Sequence, residues 1–195
     1  MRQRRTRSVI ALFAAPIAVG LVFGMGAMSR LRAPEDAPLV MTATLTGRKL
    51  DIKRGDSLVK EFDVAVGNPK HPTPTGTFTV RKIVWNPAWV PPDVPWAAGK
   101  KPAKPSDPRN PMKLVKIFFQ EPDYYIHGTG AVESLGEAAS HGCLRMDPNQ
   151  AGDVALMLMD NAGISKDWDW VRGLVHIGEQ RVVTLSQPVT LTVTN

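Results

Sequence analysis

The chain of 195 residues has room for one domain with a sizeable core and a tail. Its formal net charge of +6 belongs to the tail: residues 1–32 hold six arginines and no acids, while the remainder balances 18 basic against 18 acidic side chains. A domain without net charge lacks the basic face that nucleic-acid binding requires, so no nucleic-acid partner is expected.

Residues 2–7 are a basic run and residues 9–28 an uncharged apolar one. The apolar run is about as long as a bilayer span and longer than the core of a usual export signal. Arginines ahead of it place the N-terminus in the cytoplasm and the domain outside. Residues 1–29 are therefore expected to be a membrane anchor. A cleavable signal is the rival reading, because Ala27 and Ser29 supply small residues for a cut. Either way the domain leaves the cytoplasm, and membrane contact is confined to this segment. Residues 30–38, with Pro34 and Pro38, read as a linker to a domain at 39–195.

Within the domain, β-branched residues and partial alternation predict a strand at 40–45. Strands at 49–53 and 57–66 flank the turn Arg54-Gly55-Asp56 as a hairpin. Pro69, Pro72 and Pro74 force a loop before a strand at 77–85. Residues 86–111 hold eight of the 17 prolines, which leaves little room for regular structure. Strands at 114–119 and 124–127 follow. Helical spacing occurs at 148–161, with Asp147 as N-cap and Gly163 as the stop, and again at 166–177. Residues 181–185 and 189–193 read as a closing hairpin around Gln187-Pro188. Strands dominate, so the expected fold is mainly β: a β-sandwich or barrel-like sheet with one or two helices.

The chemistry concentrates in His127-Gly128-Thr129 and Ser140-His141-Gly142-Cys143-Leu144-Arg145. Cys143 is the only cysteine, so in an exported domain it is a free thiol. A lone cysteine is by itself more often a buried structural residue. Gly142 argues for a nucleophile instead. A residue without a side chain lets a substrate carbonyl approach the backbone N–H groups of Gly142 and Cys143, an oxyanion hole. Cysteine attacks carbonyls as the thiolate, and an imidazole can take its proton. His127, at the end of a strand and beside a glycine, is the better base. His141, two residues before the thiol, is expected to shape the loop rather than to transfer the proton.

Arg145 is the sole base between Lys116 and Lys166, and across residues 121–169 acids outnumber bases nine to two. It either binds a substrate carboxylate or pairs with Asp147 or Glu133. Residues 81–116 carry eight bases against Asp93 and Asp107, an excess that suits an anionic partner but is more often a solvated face. Trp85, Trp89 and Trp96 read mostly as loop packing. His71 and His176 read as surface or packing residues.

These motifs resemble the signature of the bacterial L,D-transpeptidase catalytic domain, the YkuD family, and the similarity runs through residues 39–195. Val64-Ala65-Val66-Gly67, Thr73-Pro74-Thr75-Gly76-Thr77-Phe78, the tryptophan- and proline-rich segment at 85–92 and Asn110-Pro111 are similar to the family as well. The resemblance implies peptidoglycan stem peptides as substrate, met in the periplasm. Cys143 would attack a tetrapeptide stem, and the terminal D-amino acid would leave, protonated by His127. A second stem amine would then resolve the thioester into a 3→3 cross-link. It also implies that the Gly128 carbonyl orients His127, it tips Arg145 toward the substrate, and it calls for no cofactor and no metal. A zinc site made from two histidines and Cys143 is the lesser reading. Glu137 departs from the family pattern, where a basic or neutral residue is expected, and this bears on acceptor preference. Hydrolysis of the same thioester by an L,D-carboxypeptidase, or its transfer to an envelope protein, stays open. An inactive wall-binding module is a third possibility, against which the intact His127 and Cys143 argue.

Overall fold

The computed structural model describes residues 37–195, so the expected anchor or signal at 1–29 and most of the linker lie outside the described residues. Among the described residues no helix is long and apolar enough to cross a membrane. Eight strands and two α-helices follow in order: β1 (Leu39–Thr44), β2 (Lys49–Arg54), β3 (Ser57–Asp63), β4 (Gly76–Trp85), β5 (Val115–Gln120), β6 (Tyr124–Gly128), β7 (Leu144–Met146), α1 (Pro148–Asn161), α2 (Trp168–Ile177) and β8 (Arg181–Thr194).

The strands form one sheet in the order β3-β2-β1-β8-β4-β5-β6-β7. Neighbours are antiparallel except β1 with β8 and β6 with β7. Alternation decides which face is inside. Leu39, Met41 and Ala43 of β1, Leu50 and Ile52 of β2, and Val115, Ile117 and Phe119 of β5 all point into the core. The two ends of the sheet nearly meet. The chain beyond β3 bonds to β7 and to the loop before it, as Ala65 and Arg145 exchange both backbone hydrogen bonds at 2.9 Å and Ser140 N–H donates to the Val66 carbonyl at 2.9 Å. The result is a nearly closed, barrel-like sheet, which leaves little free edge for unwanted pairing.

Helix α1 starts directly after β7. Its Ala151, Val154, Ala155, Leu158 and Met159 are buried in the same core. Asp147 caps it by accepting from Asn149 N–H at 2.8 Å and Gln150 N–H at 3.2 Å. Trp85 is fully buried, and its Nε1–H meets the Met159 sulfur at 3.1 Å, tying β4 to α1.

The hairpin expected at 181–193 is instead the single strand β8. Its pairing with β4 shifts register between Val80 and Lys82, so residues 185–188 bulge opposite Arg81. Pro188 has no N–H to offer a ladder and sits in that bulge. Turn-forming residues here bend one strand rather than reverse it. Helix α2 begins at Trp168, with Asp167 accepting from Trp170 N–H at 3.0 Å as its cap.

Replacing Asp147 with alanine removes the acceptor for two helix N–H groups. Stability should fall by about 1 kcal/mol. Urea unfolding should show a lower midpoint with an unchanged slope.

Candidate active site

Three neighbouring strands bring the site together. Lys116 on β5 lies opposite His127 on β6, and His127 lies opposite Arg145 on β7. Paired residues on adjacent strands share a face, so the three side chains stand abreast. Tyr125, two residues before His127, falls on the same face. Cys143 immediately precedes β7. All five line a cleft of about 1410 Å³ together with His71, Trp96 and His141.

Cys143 is partly buried and unpaired with any other cysteine, and its Sγ donates to the Asp123 carbonyl at 3.4 Å. Burial pushes the thiol up to about 11, against the opposing pull of the Tyr125 backbone N–H and of the Arg145 and Lys116 charges. His127 is buried, and its Nδ1 lies 2.7 Å from the Gly128 carbonyl oxygen. A carbonyl only accepts, so Nδ1 carries the ring proton and Nε2 keeps its lone pair. Burial pushes the His127 pKa down to about 3, helped by Arg145 and Lys116 and opposed by the Gly128 and Pro111 carbonyls. At rest the site therefore holds a neutral thiol and a neutral imidazole. Among the described residues no hydrogen bond joins them.

Two glycines are required by space. A Cβ at Gly128 would sit 2.9 Å from Pro148 Cα at the start of α1. Gly142 has φ +110°, and a Cβ there would meet the Tyr124 ring at 2.7 Å. Buried Ser140 pins this turn, accepting from Gly142 N–H at 3.0 Å and donating to the Cys143 carbonyl at 2.6 Å. The Gly142 N–H is thus already engaged. Of the two amides expected to face an oxyanion, Cys143 N–H is the one without a partner among the described residues.

His141 stacks on Trp96, with ring centroids 4.2 Å apart, and its ring lies 5.1 Å from that of His71. Its Nδ1 is buried without a hydrogen-bond partner, and burial lowers its pKa, with His71, Arg145 and Lys100 adding to the effect. His71 and Trp96 therefore belong to the cleft, whereas His176 sits in the last turn of α2. Arg145 donates from Nη1 to the Ala139 carbonyl at 3.3 Å and makes no ion pair among the described residues. Asp147, its expected rival partner, is occupied as a helix cap. No group of three metal-binding side chains occurs among the described residues.

Sequence reasoning did not single out Lys116 or Tyr125. The Tyr125 phenol adjoins the Cys143 sulfur, and burial raises its pKa, so it stays a neutral donor. The signal that finds both is cross-strand register with His127.

The family model described as the L,D-transpeptidase catalytic domain matches residues 39–182. A putative L,D-transpeptidase YkuD from Bacillus licheniformis is 27% identical over 135 residues, which is 69% of this chain and 69% of that protein. An L,D-transpeptidase structure from Mycobacterium smegmatis is 19% identical, covers 80% of this chain and 59% of its own, and has a TM-score of 0.48. The structure of the Ldtfm-avibactam carbamoyl enzyme is 16% identical, covers 80% of this chain and 49% of its own, and has a TM-score of 0.50, a likeness of fold. This chain spans only 59% and 49% of the length of those two solved chains.

The raised thiol pKa fixes a pH signature. Alkylation of Cys143 by iodoacetamide should accelerate about tenfold per pH unit from about pH 7 to about pH 10, because only the thiolate reacts. A rate already flat at neutral pH would show that a thiolate is stored in the resting site.

Proposed function

The chain belongs to the L,D-transpeptidase catalytic-domain family, and from that premise we propose that it cross-links peptidoglycan stems through a thioester on Cys143, with His127 as the base. The observation that carries this is the 2.7 Å contact between His127 Nδ1 and the Gly128 carbonyl, which puts the ring proton on Nδ1 and leaves the lone pair on Nε2, in a ring that lines the same cleft as the thiol.

The steps follow from the charges. Sγ attacks the carbonyl that precedes the terminal D-residue of a tetrapeptide donor, and the thiol proton passes to His127 Nε2. The oxyanion meets the Cys143 N–H, with the Tyr125 hydroxyl close to the sulfur. The imidazolium is stabilised by the Gly128 carbonyl but sits buried between two cations, so it is short-lived. It gives its proton to the departing amine as the C–N bond breaks, leaving a thioester. A second stem amine attacks that thioester, His127 takes the amine's proton, and the thiol is restored. Arg145 binds a donor carboxylate, a role favoured by its lack of an ion pair. His141 shapes the loop from beneath Trp96. The covalent avibactam enzyme of a protein with this fold supports a covalent route. No cofactor is called for. Residues 39–195 are the catalytic domain, carried into the periplasm by the segment at 1–29 and its linker.

Incubation with a defined disaccharide-tetrapeptide, followed by mass analysis, tests the function. Cross-linked dimer and released D-amino acid are expected. Tripeptide monomer alone would mean an L,D-carboxypeptidase, and neither product would overturn the proposal. Arg145→Ala should keep its melting temperature and lose transition-state stabilisation of about 1.5–3 kcal/mol, read as kcat/KM for the tetrapeptide donor. A large fall in melting temperature with turnover per folded molecule preserved would make Arg145 a brace.

A further inference from the structure

We propose that Lys116 reads the free carboxylate of the departing D-residue, so that donor choice depends on an unmodified C-terminus. This rests on the thioester chemistry proposed above.

Lys116 is half-buried on β5. Its Nζ lies 4.9 Å from the centre of the Tyr125 ring and donates to the Ala88 carbonyl at 3.4 Å. Lys49, Lys53, Lys60 and Lys82 each pair with a carboxylate. Lys116 has no such pair among the described residues. Burial lowers its pKa, as expected for an ammonium withdrawn from water without a counter-ion. Keeping an unpaired ammonium at the edge of a cleft costs free energy unless an anion joins it. The acids of the cleft do not fill that role. Asp107 is held by Arg109 at 2.9 Å, and Asp123 makes no ion pair with Lys116. One carbonyl contact leaves the other N–H donors of the ammonium free.

Strand order decides which anion fits. Lys116 flanks His127 on the β5 side, whereas Cys143 and Arg145 lie on the β7 side. The departing nitrogen must reach His127 to be protonated. The carboxylate of that residue is only one Cα beyond the nitrogen. A cation beside His127, on the strand across from the one that carries Arg145, is placed to meet it. Arg145, on the thiol side, is left for a carboxylate on the part of the donor that stays attached.

The test uses the full chain and two donors, identical disaccharide-tetrapeptides ending in a carboxylate or a carboxamide. The rate of release of the terminal residue is compared as kcat/KM. The wild type should prefer the carboxylate by about 10- to 100-fold, the range of a lost charge-assisted hydrogen bond. In Lys116→Met that preference should collapse toward unity, chiefly through KM for the carboxylate donor, and Lys116→Arg should restore most of it. Melting temperature and the far-ultraviolet circular dichroism spectrum report whether each variant is folded, with Lys116→Gln replacing the methionine variant should that one fail to fold. Equal rates on both donors in the wild type, or an undiminished preference in folded Lys116→Met, would overturn the assignment. Release from neither donor by the wild type would instead bring down the thioester chemistry, and this assignment with it.

Discussion

The pair of backbone hydrogen bonds between Ala65 and Arg145 carries the rest of the site. Strand β7 is three residues long and pairs with β6 at only three positions. On its own, so short an edge would fray. Ala65 on its far side turns β7 into an interior strand and fixes where Arg145 and Cys143 stand. The clamp continues along the chain. Asn68 N–H and Nδ2 both reach the Ser140 carbonyl, and Gly67 N–H donates to Thr73 Oγ1 at 2.8 Å. Gly67 has no alternative, since a Cβ there would lie 2.3 Å from the Thr73 nitrogen. The thiol is therefore held by contacts more than seventy residues distant in sequence.

Burial and charge then set the reactivity together. Taking both groups out of water disfavours the thiolate and the imidazolium alike. Lys116 and Arg145 pull in opposite senses on the two groups, easing the thiol's ionisation and making the imidazolium harder to form. The pair rests neutral, and in the proposed reaction proton transfer is left to the moment when a substrate carbonyl accepts the sulfur. A base with so low a pKa holds its proton briefly, which suits handing it on to a leaving amine.

Much of this could be read in the sequence because the features are local. Partial alternation marked β1, the turn Arg54-Gly55-Asp56 marked the hairpin of β2 and β3, and Asp147 before Pro148 marked the start of α1. His127 and Cys143 stood out as candidate base and nucleophile, and both line one cleft. What stayed hidden depends on distant pairing. The bulge in β8 needs β4 to explain it, so Gln187-Pro188 looked like a turn. Trp96 and His71 meet His141 only because a proline-rich loop and the loop before β4 fold over the same cleft. Lys116 looked like one base among eight until register set it beside His127.

The central claim is that Cys143 carries the acyl group, and intact-mass measurement of the protein after exposure to avibactam or to a tetrapeptide donor tests it most directly. A single covalent adduct, mapped by peptide digestion to Cys143 and absent from Cys143→Ala, is the predicted result. An adduct of the same mass that survives in Cys143→Ala would contradict it.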